Sequence, residues 1–269
     1  MRVMCLLAVG LFLVGLLSPV RADSISINWG TDGTGDRDAI FPADGTNMAG
    51  VVCLPFWNQI RGEDHGWQAG SQETGTGPDG DIVVTNLISS RGIGTQVSFR
   101  MHDTSNKEWF RIRDTDTPGN NNNRLMQCAT WTEKNGAIEI TVSNLPTSVT
   151  EGRYNLIVYM HCRGDGDQHE GMYRFDLDIG ANSSTDHTLY AVLDAPDADF
   201  LDDTPFDNSG QSEVEEDAGP ANYIQFSLVG YKTPDFKLVV DNLAAIGRVT
   251  LNGLQIQGVP PVGTVISVY

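Results

Sequence analysis

Tyr223-Ile224-Gln225-Phe226-Ser227-Leu228 puts Ile224, Phe226 and Leu228 on one face of an extended chain, and Phe236, Leu238 and Val240 repeat the pattern shortly afterwards. Period-2 alternation of this kind is the signature of half-buried strands, and the sequence shows almost none of the period-3.6 patterning that helices require. Ala137-Ile138-Glu139-Ile140-Thr141-Val142 alternates in the same way, as do residues 96–101, 172–179 and 188–193. Tyr154-Asn155-Leu156-Ile157-Val158-Tyr159-Met160 is apolar on both faces, which predicts a central strand covered on each side. Ten to twelve short strands separated by Gly, Asn, Asp and Pro clusters predict an all-β fold, a sandwich or barrel with little or no helix outside the N-terminal leader.

That leader is residues 1–22. Arg2 gives a positive start, residues 5–17 form an apolar run, Ser18-Pro19 breaks it, and Val20-Arg21-Ala22 supplies a small-x-small cleavage pattern. The run falls short of the ~20 residues that span a bilayer, so the reading is a cleaved signal peptide, no transmembrane anchor in the mature chain, and a secreted protein (periplasmic, cell-surface or extracellular). Residues 23–269 are expected to form a single β-sandwich domain.

Loss of Arg2 and Arg21 leaves 15 basic residues against 35 acidic ones, a formal charge near −20. Such a chain lacks the Lys and Arg that neutralise phosphates, which argues against nucleic acid and anionic lipid as partners. The charge is uneven. Residues 194–217 hold ten carboxylates and no Lys or Arg, and are expected to form a long, mobile acidic loop within the sandwich. Three cysteines remain in the mature chain, Cys53, Cys128 and Cys162. One disulfide and one leftover thiol fit an oxidising compartment without saying which two pair, and each cysteine reads equally well as a free, buried, small apolar residue. No Cys/His spacing points to zinc.

The end of the core offers two readings. Apolar residues occupy odd positions before Asn252-Gly253 (Val249, Leu251) and even positions after it (Leu254, Ile256), as either an Asn-Gly hairpin or a Gly bulge in one continuous strand would require.

Several strings, taken in order, resemble the malectin-like and related galactose-binding-like jelly rolls. They are Ser26-Ile27-Asn28-Trp29-Gly30, the stretch 152–161 around the central strand, Met172-Tyr173-Arg174-Phe175-Asp176-Leu177-Asp178-Ile179-Gly180, and Leu251-Asn252-Gly253-Leu254-Gln255-Ile256. Ala49-Gly50-Val51-Val52 followed by Trp57-Asn58 resembles a signature of secreted bacterial proteins that close on a similar Asn-Gly strand. The resemblance implies a two-sheet jelly-roll β-sandwich whose last strand returns beside the first, favours the bulge at Asn252-Gly253, and implies carbohydrate binding through loops or a concave face. The loop aromatics that contact sugar in the malectin-like family have no matched positions here.

Sugar recognition needs a flat ring against the C–H face of a pyranose and planar amides or carboxylates for paired hydroxyls. Trp67, in Asp64-His65-Gly66-Trp67-Gln68, is the candidate platform because its glycine neighbours offer it no core to join, with His65 and Gln68 as polar partners. The competing reading folds it back onto the sandwich. Trp109 is the second candidate, although its alternating surroundings also suit a core residue; Trp29, Trp57 and Trp131 read as structural. Calcium needs clustered oxygen ligands, and two segments have the composition for a structural ion: Asp32, Asp36 and Asp38, and Asp165, Asp167 and Glu170. Neither has EF-hand spacing, and solvated turns are the alternative. No Gly-x-Ser-x-Gly, His-Glu-x-x-His or P-loop string singles out a catalytic centre, so no enzymatic activity is expected. The function these residues predict is a secreted, non-catalytic module that recognises carbohydrate. The alternative is a structural or protein-interaction component of the cell envelope with no glycan ligand.

Overall fold

The computed structural model describes residues 22–31, 48–62, 74–76, 81–104, 111–114, 125–126, 128–132, 136–161, 171–193, 204–244 and 247–261. Of the expected leader, residues 1–21 lie outside them. Fifteen strands are described, more than the sequence predicts: β1 (Ser24–Thr31), β2 (Asn58–Gly62), β3 (Thr74–Thr76), β4 (Ile82–Thr85), β5 (Ser98–Asp103), β6 (Arg111–Asp114), β7 (Cys128–Trp131), β8 (Ile138–Ser143), β9 (Arg153–Tyr159), β10 (Gly171–Ile179), β11 (His187–Leu193), β12 (Tyr223–Val229), β13 (Phe236–Asn242), β14 (Thr250–Leu251) and β15 (Gly253–Val259). The short helix α1 (Thr147–Thr150), a 3₁₀ turn, Glu215–Asp217, and the two helical residues Leu125 and Met126 are the helical segments among the described residues.

Two sheets face each other. One runs β12-β9-β15-β1-β2 and the other β11-β10-β13-β8-β5-β4-β3, with a small third sheet, β14-β7-β6. Numbered along the chain, the strands β1, β8, β9, β10, β11, β12, β13 and β15 pass from one sheet to the other at every step but one, the β10–β11 hairpin, as in a jelly roll, and β15 lies antiparallel beside β1. The chain between β1 and β8 adds β2 beside β1 and extends the second sheet with β5, β4 and β3. The fold is therefore an all-β, two-sheet jelly-roll sandwich.

Alternation explains what fills the space between the sheets. Ile25, Ile27 and Trp29 of β1 meet Phe99 and Met101 of β5, with Trp29 edge-on to Phe99 at 6.2 Å between ring centroids. Tyr154 of β9 packs against Phe236 of β13 at 6.1 Å, and Phe175, Leu177, Leu189 and Ala191 continue the layer. Apolar burial of this extent supplies the main favourable free energy of the fold, roughly 1.5–3 kcal/mol for each large side chain.

The outer face of the five-stranded sheet is covered as well. Ala49, Trp57, Leu125, Met126, Ile157, Tyr159 and Tyr223 form a second apolar cluster, joined by Val51, Val52 and Phe206. This layer is why β9 is apolar on both faces: Leu156 and Val158 point to the main core, Ile157 and Tyr159 to the cover. Polar groups trapped beneath the cover are bonded. Asn58 Nδ2 donates to Ser26 O at 2.9 Å and Ile88 O at 2.8 Å, and its Oδ1 accepts from Ile88 N–H at 2.7 Å. Tyr159 Oη accepts from Val51 N–H at 2.8 Å and donates to Gln255 Oε1.

Three expectations change. Asn252-Gly253 forms neither a hairpin nor a bulge in one continuous strand, because β14 pairs with β7 in the small sheet while β15 lies between β1 and β9. Asn252 fills the break, its Nδ2 donating to Met126 O at 3.0 Å and its Oδ1 accepting from His161 N–H, and Leu251 and Leu254 both stay in the core. Leu228 does not share the buried face of Ile224 and Phe226. It is 48 % exposed at φ 55°, because the β12–β9 register shifts between Phe226 and Val229 and Val229 takes the inward place. The Leu228 N–H is held by Asn155 Oδ1 at 2.9 Å. Cys53 is an exposed free thiol rather than a buried apolar residue.

Residues 204–221 are not a free loop. This second part of the acidic stretch lies along the edge of β11: Tyr190 N–H donates to Ser212 O at 2.7 Å, Ser212 N–H returns to Tyr190 O at 3.0 Å, and Val192 N–H donates to Gly219 O at 2.8 Å. Phe206 anchors its start, 5.4 Å from the Tyr159 ring centroid. Residues 194–203 lie outside the described residues.

Candidate functional site

β11 ends the seven-stranded sheet and β12 ends the five-stranded sheet, so the two edges stand together on one side of the sandwich. Residues 204–221 cover the far half of β11 but not its start, and a cleft of about 520 Å³ opens there. Its lining comes from Asp186 to Leu189, from Gln211 and Glu213, and from Gln225, Phe226, Ser227 and Val229.

Each strand contributes according to its pleat. Leu189 and Phe226 point inward and form an apolar floor with Val229, all three buried. His187 has the same parity as Leu189 but sits where the sandwich opens, so its imidazole is exposed, 6.5 Å from the Phe226 ring centroid and tilted 55° to it. Phe226 itself is only 3 % exposed, which makes His187 the ring a ligand meets. Tyr190 and Val192 turn their backbone groups outward to residues 212 and 219. Alternate residues of a strand share that direction, so Thr188 presents its N–H and C=O to the cleft.

The opposite wall is held by an unusual pairing. Gln211 bonds the open edge of β12 with its side chain, accepting from Gln225 N–H at 2.6 Å and donating to Gln225 O at 3.1 Å. Gln225 Nε2 donates to Ser227 Oγ at 2.9 Å. Asp186 accepts from Ile179 N–H at 2.7 Å, and Thr188 Oγ1 donates to Asp176 Oδ1 at 2.7 Å. The arrangement can present one exposed ring, an apolar floor, two carboxylates and open backbone groups to a small polar ligand.

Trp67, His65, Gln68 and Trp109 lie outside the described residues, as do Asp32, Asp36, Asp38, Asp165, Asp167 and Glu170. The strands flanking Trp67 are described: β2 and β3 are the edges of the two sheets opposite β12 and β11. Among the described residues no group of three or more His, Cys, Asp or Glu side chains is placed to hold a metal ion. No helix among them is long and apolar enough to cross a membrane. Sequence reasoning missed Asp186, His187, Gln211, Glu213 and Gln225. Asp186-His187 sits in a plain polar turn, and Gln211 and Glu213 are submerged in the acidic stretch, so nothing local marks them.

A second polar cluster lies near the other end of the seven-stranded sheet. The Asp81 carboxylate, 1 % exposed, accepts from Arg100 and faces His102 Nδ1 at 2.6 Å. Arg100 and His102 point outward from β5, so this cluster closes the start of β4 over a buried charge.

No protein-family model matches the chain, and no curated protein matches it. Among solved structures it is similar to the CBM36-1 domain of a multidomain xylanase from the hindgut metagenome of Trinervitermes trinervoides, at 15 % identity and a TM-score of 0.27, over 60 % of this chain and 98 % of that one. It is also similar to BtGH115A, a family GH115 4-O-methyl-α-glucuronidase with specificity for decorated arabinogalactans, at 14 % identity and a TM-score of 0.25, over 49 % of this chain and 14 % of that one. Superpositions this loose leave function to be argued from the cleft itself.

Proposed function

We propose that this chain is an exported, non-catalytic module that binds carbohydrate in the cleft between β11 and β12. The observation that carries the reading is a cleft lined by the exposed His187 ring beside the buried Phe226, by the acidic residues Asp186 and Glu213, and by the open edge of Thr188. A pyranose has the matching surfaces, a C–H face for the ring and floor and equatorial hydroxyls for the carboxylates and backbone. Export is supported by the N-terminal pattern of residues 1–22. A structural calcium on Asp32, Asp36 and Asp38 or on Asp165, Asp167 and Glu170 is a separable part of the proposal.

The test is a glycan panel probed with the chain from Asp23 onward, with calcium and with chelator. Binding that His187→Ala lowers about tenfold at unchanged Tm supports the cleft. Binding lost on Trp67→Ala instead moves the site to the segment between β2 and β3 in the sequence. Failure across the panel by folded protein favours a protein-interaction or structural role in the envelope. Calcium is excluded if the chelator leaves Tm unchanged.

A further inference from the structure

We infer that the sugar taken by the β11–β12 cleft carries a free ammonium group, as an unacetylated amino sugar does; this rests on the carbohydrate reading above and narrows it. The polar groups of the cleft decide the point by what they have left to offer. Both ends of the Gln211 amide are consumed by the Gln225 backbone, the Gln225 Nε2 is turned onto Ser227 Oγ, and the Thr188 hydroxyl is turned onto Asp176. Most of the neutral side-chain donors that would read uncharged hydroxyls are thus already engaged within the wall, the Ser227 O–H and the His187 ring N–H excepted. The two acidic side chains that line the cleft add acceptors only. Glu213 makes no hydrogen bond or ion pair with any described residue, and Asp186 uses one oxygen on Ile179 N–H. No Lys or Arg among the described residues lines the cleft.

Two carboxylates against a single imidazole, with no described Lys or Arg beside them, disfavour a uronate or sulfate and attract a donor-rich cation, and a charge-assisted bond is about twice as strong as a neutral one. The floor of Leu189, Phe226 and Val229 beside the His187 ring adds a requirement that a bare ammonium or flexible polyamine does not meet, a flat C–H face next to the charge. A glucosamine ring has both.

The chain's formal charge of −18 attracts any polycation, so the experiment has to separate the cleft from the surface. Calorimetry would compare the hexamers of glucosamine, N-acetylglucosamine and glucose (β-1,4-linked) at about pH 5.5, below the ordinary amine range. The glucosamine hexamer is expected to bind about tenfold more tightly than the glucose hexamer. Glu213→Gln should cut that preference to under about threefold and leave the glucose hexamer unaffected. Glu139→Gln, which removes the same charge from β8 three strands away from β11, should keep the preference. Equal binding of the glucosamine and glucose hexamers, or a preference that survives Glu213→Gln, overturns the inference and leaves the carbohydrate reading in place. If none of the three binds and the panel is also negative, the carbohydrate reading itself fails and takes the inference with it.

Discussion

Gln211 pairs with Gln225 as a neighbouring strand would, its side-chain amide accepting from the Gln225 N–H at 2.6 Å and donating to the Gln225 carbonyl at 3.1 Å. One residue thereby caps the exposed edge of β12 and sets one wall of the cleft. Gln211→Ala leaves both backbone groups to water and should destabilise the protein by about 1–2 kcal/mol. Amide exchange at Gln225 should speed up while exchange at Val158 in the interior strand β9 is unchanged. Equal protection of Gln225 in the variant would show that the pairing does not hold the edge.

Gly50 and Gly94 make opposite predictions. Gly50 sits at φ 94°, and an added Cβ would fall 2.6 Å from Gln255 Oε1 and 2.7 Å from the Tyr159 hydroxyl. Neither neighbour is free to move, because the two are bonded to each other and to the 51–52 backbone. Gly50→Ala should cost about 2–4 kcal/mol through strain and lost cover packing. An added Cβ at Gly94 meets nothing within 4 Å, so Gly94→Ala should stay within about 0.5 kcal/mol of the parent in urea unfolding.

Two buried tyrosines of β9 differ in what their hydroxyls do. The Tyr159 hydroxyl ties Val51 to Gln255, so Tyr159→Phe leaves a buried N–H and a buried amide short of a partner and should lose about 1–3 kcal/mol. The Tyr154 hydroxyl has no hydrogen-bond partner among the described residues. Tyr154→Phe should therefore be neutral or stabilising by up to about 1 kcal/mol, with the Phe236 contact retained. Equal losses in the two variants would sink the distinction.

Alkaline pH should unfold the protein through its tyrosines. Burial raises the pKa of Tyr154 and Tyr159 well above the ordinary 10.0, with Asp235 adding to it at Tyr154, and burial beside Asp207 raises Tyr223. The folded state keeps these protons where the unfolded chain has lost them. Stability is thus full below the unfolded value near 10 and declines as pH rises from there toward the folded values. Phenolate absorbance followed against pH should show the three ionising together with loss of the fold. Gradual ionisation of all seven tyrosines before any unfolding would contradict this.

Asp81, Arg100 and His102 should respond asymmetrically. Asp81→Asn removes a buried charge and leaves two partners that reach solvent, at a cost of about 1 kcal/mol. The double variant Arg100→Gln, His102→Gln instead strands a carboxylate that is 1 % exposed, and should cost more, on the order of 2–3 kcal/mol. Chemical denaturation of both variants and of the triple variant checks it, since the triple should recover part of the loss.

The alternation in β8, β10, β11 and β13 was legible in the sequence because each strand buries one face against the opposite sheet, and a one-residue slip would expose all of it. The doubly apolar β9 was legible for the same reason, since a strand between two layers has no polar face to show. Leu228 was not. A bulge moves one residue across the pleat, and the Asn155 contact that holds it comes from 73 residues away.

What the sequence alone determined is the fold class, through periodicity, and the anionic character of the chain, because both are properties of residues read in order. What only the tertiary structure decided is the site. The cleft exists because β11 and β12, joined through residues 194–222, end in different sheets whose edges meet, and because Gln211 and Glu213 are carried back across that edge by the Ser212–Tyr190 pairing. His187, Glu213 and Gln225 share no local pattern; long-range strand pairing brings them to one cleft, and pairing of that kind leaves no trace in neighbouring residues.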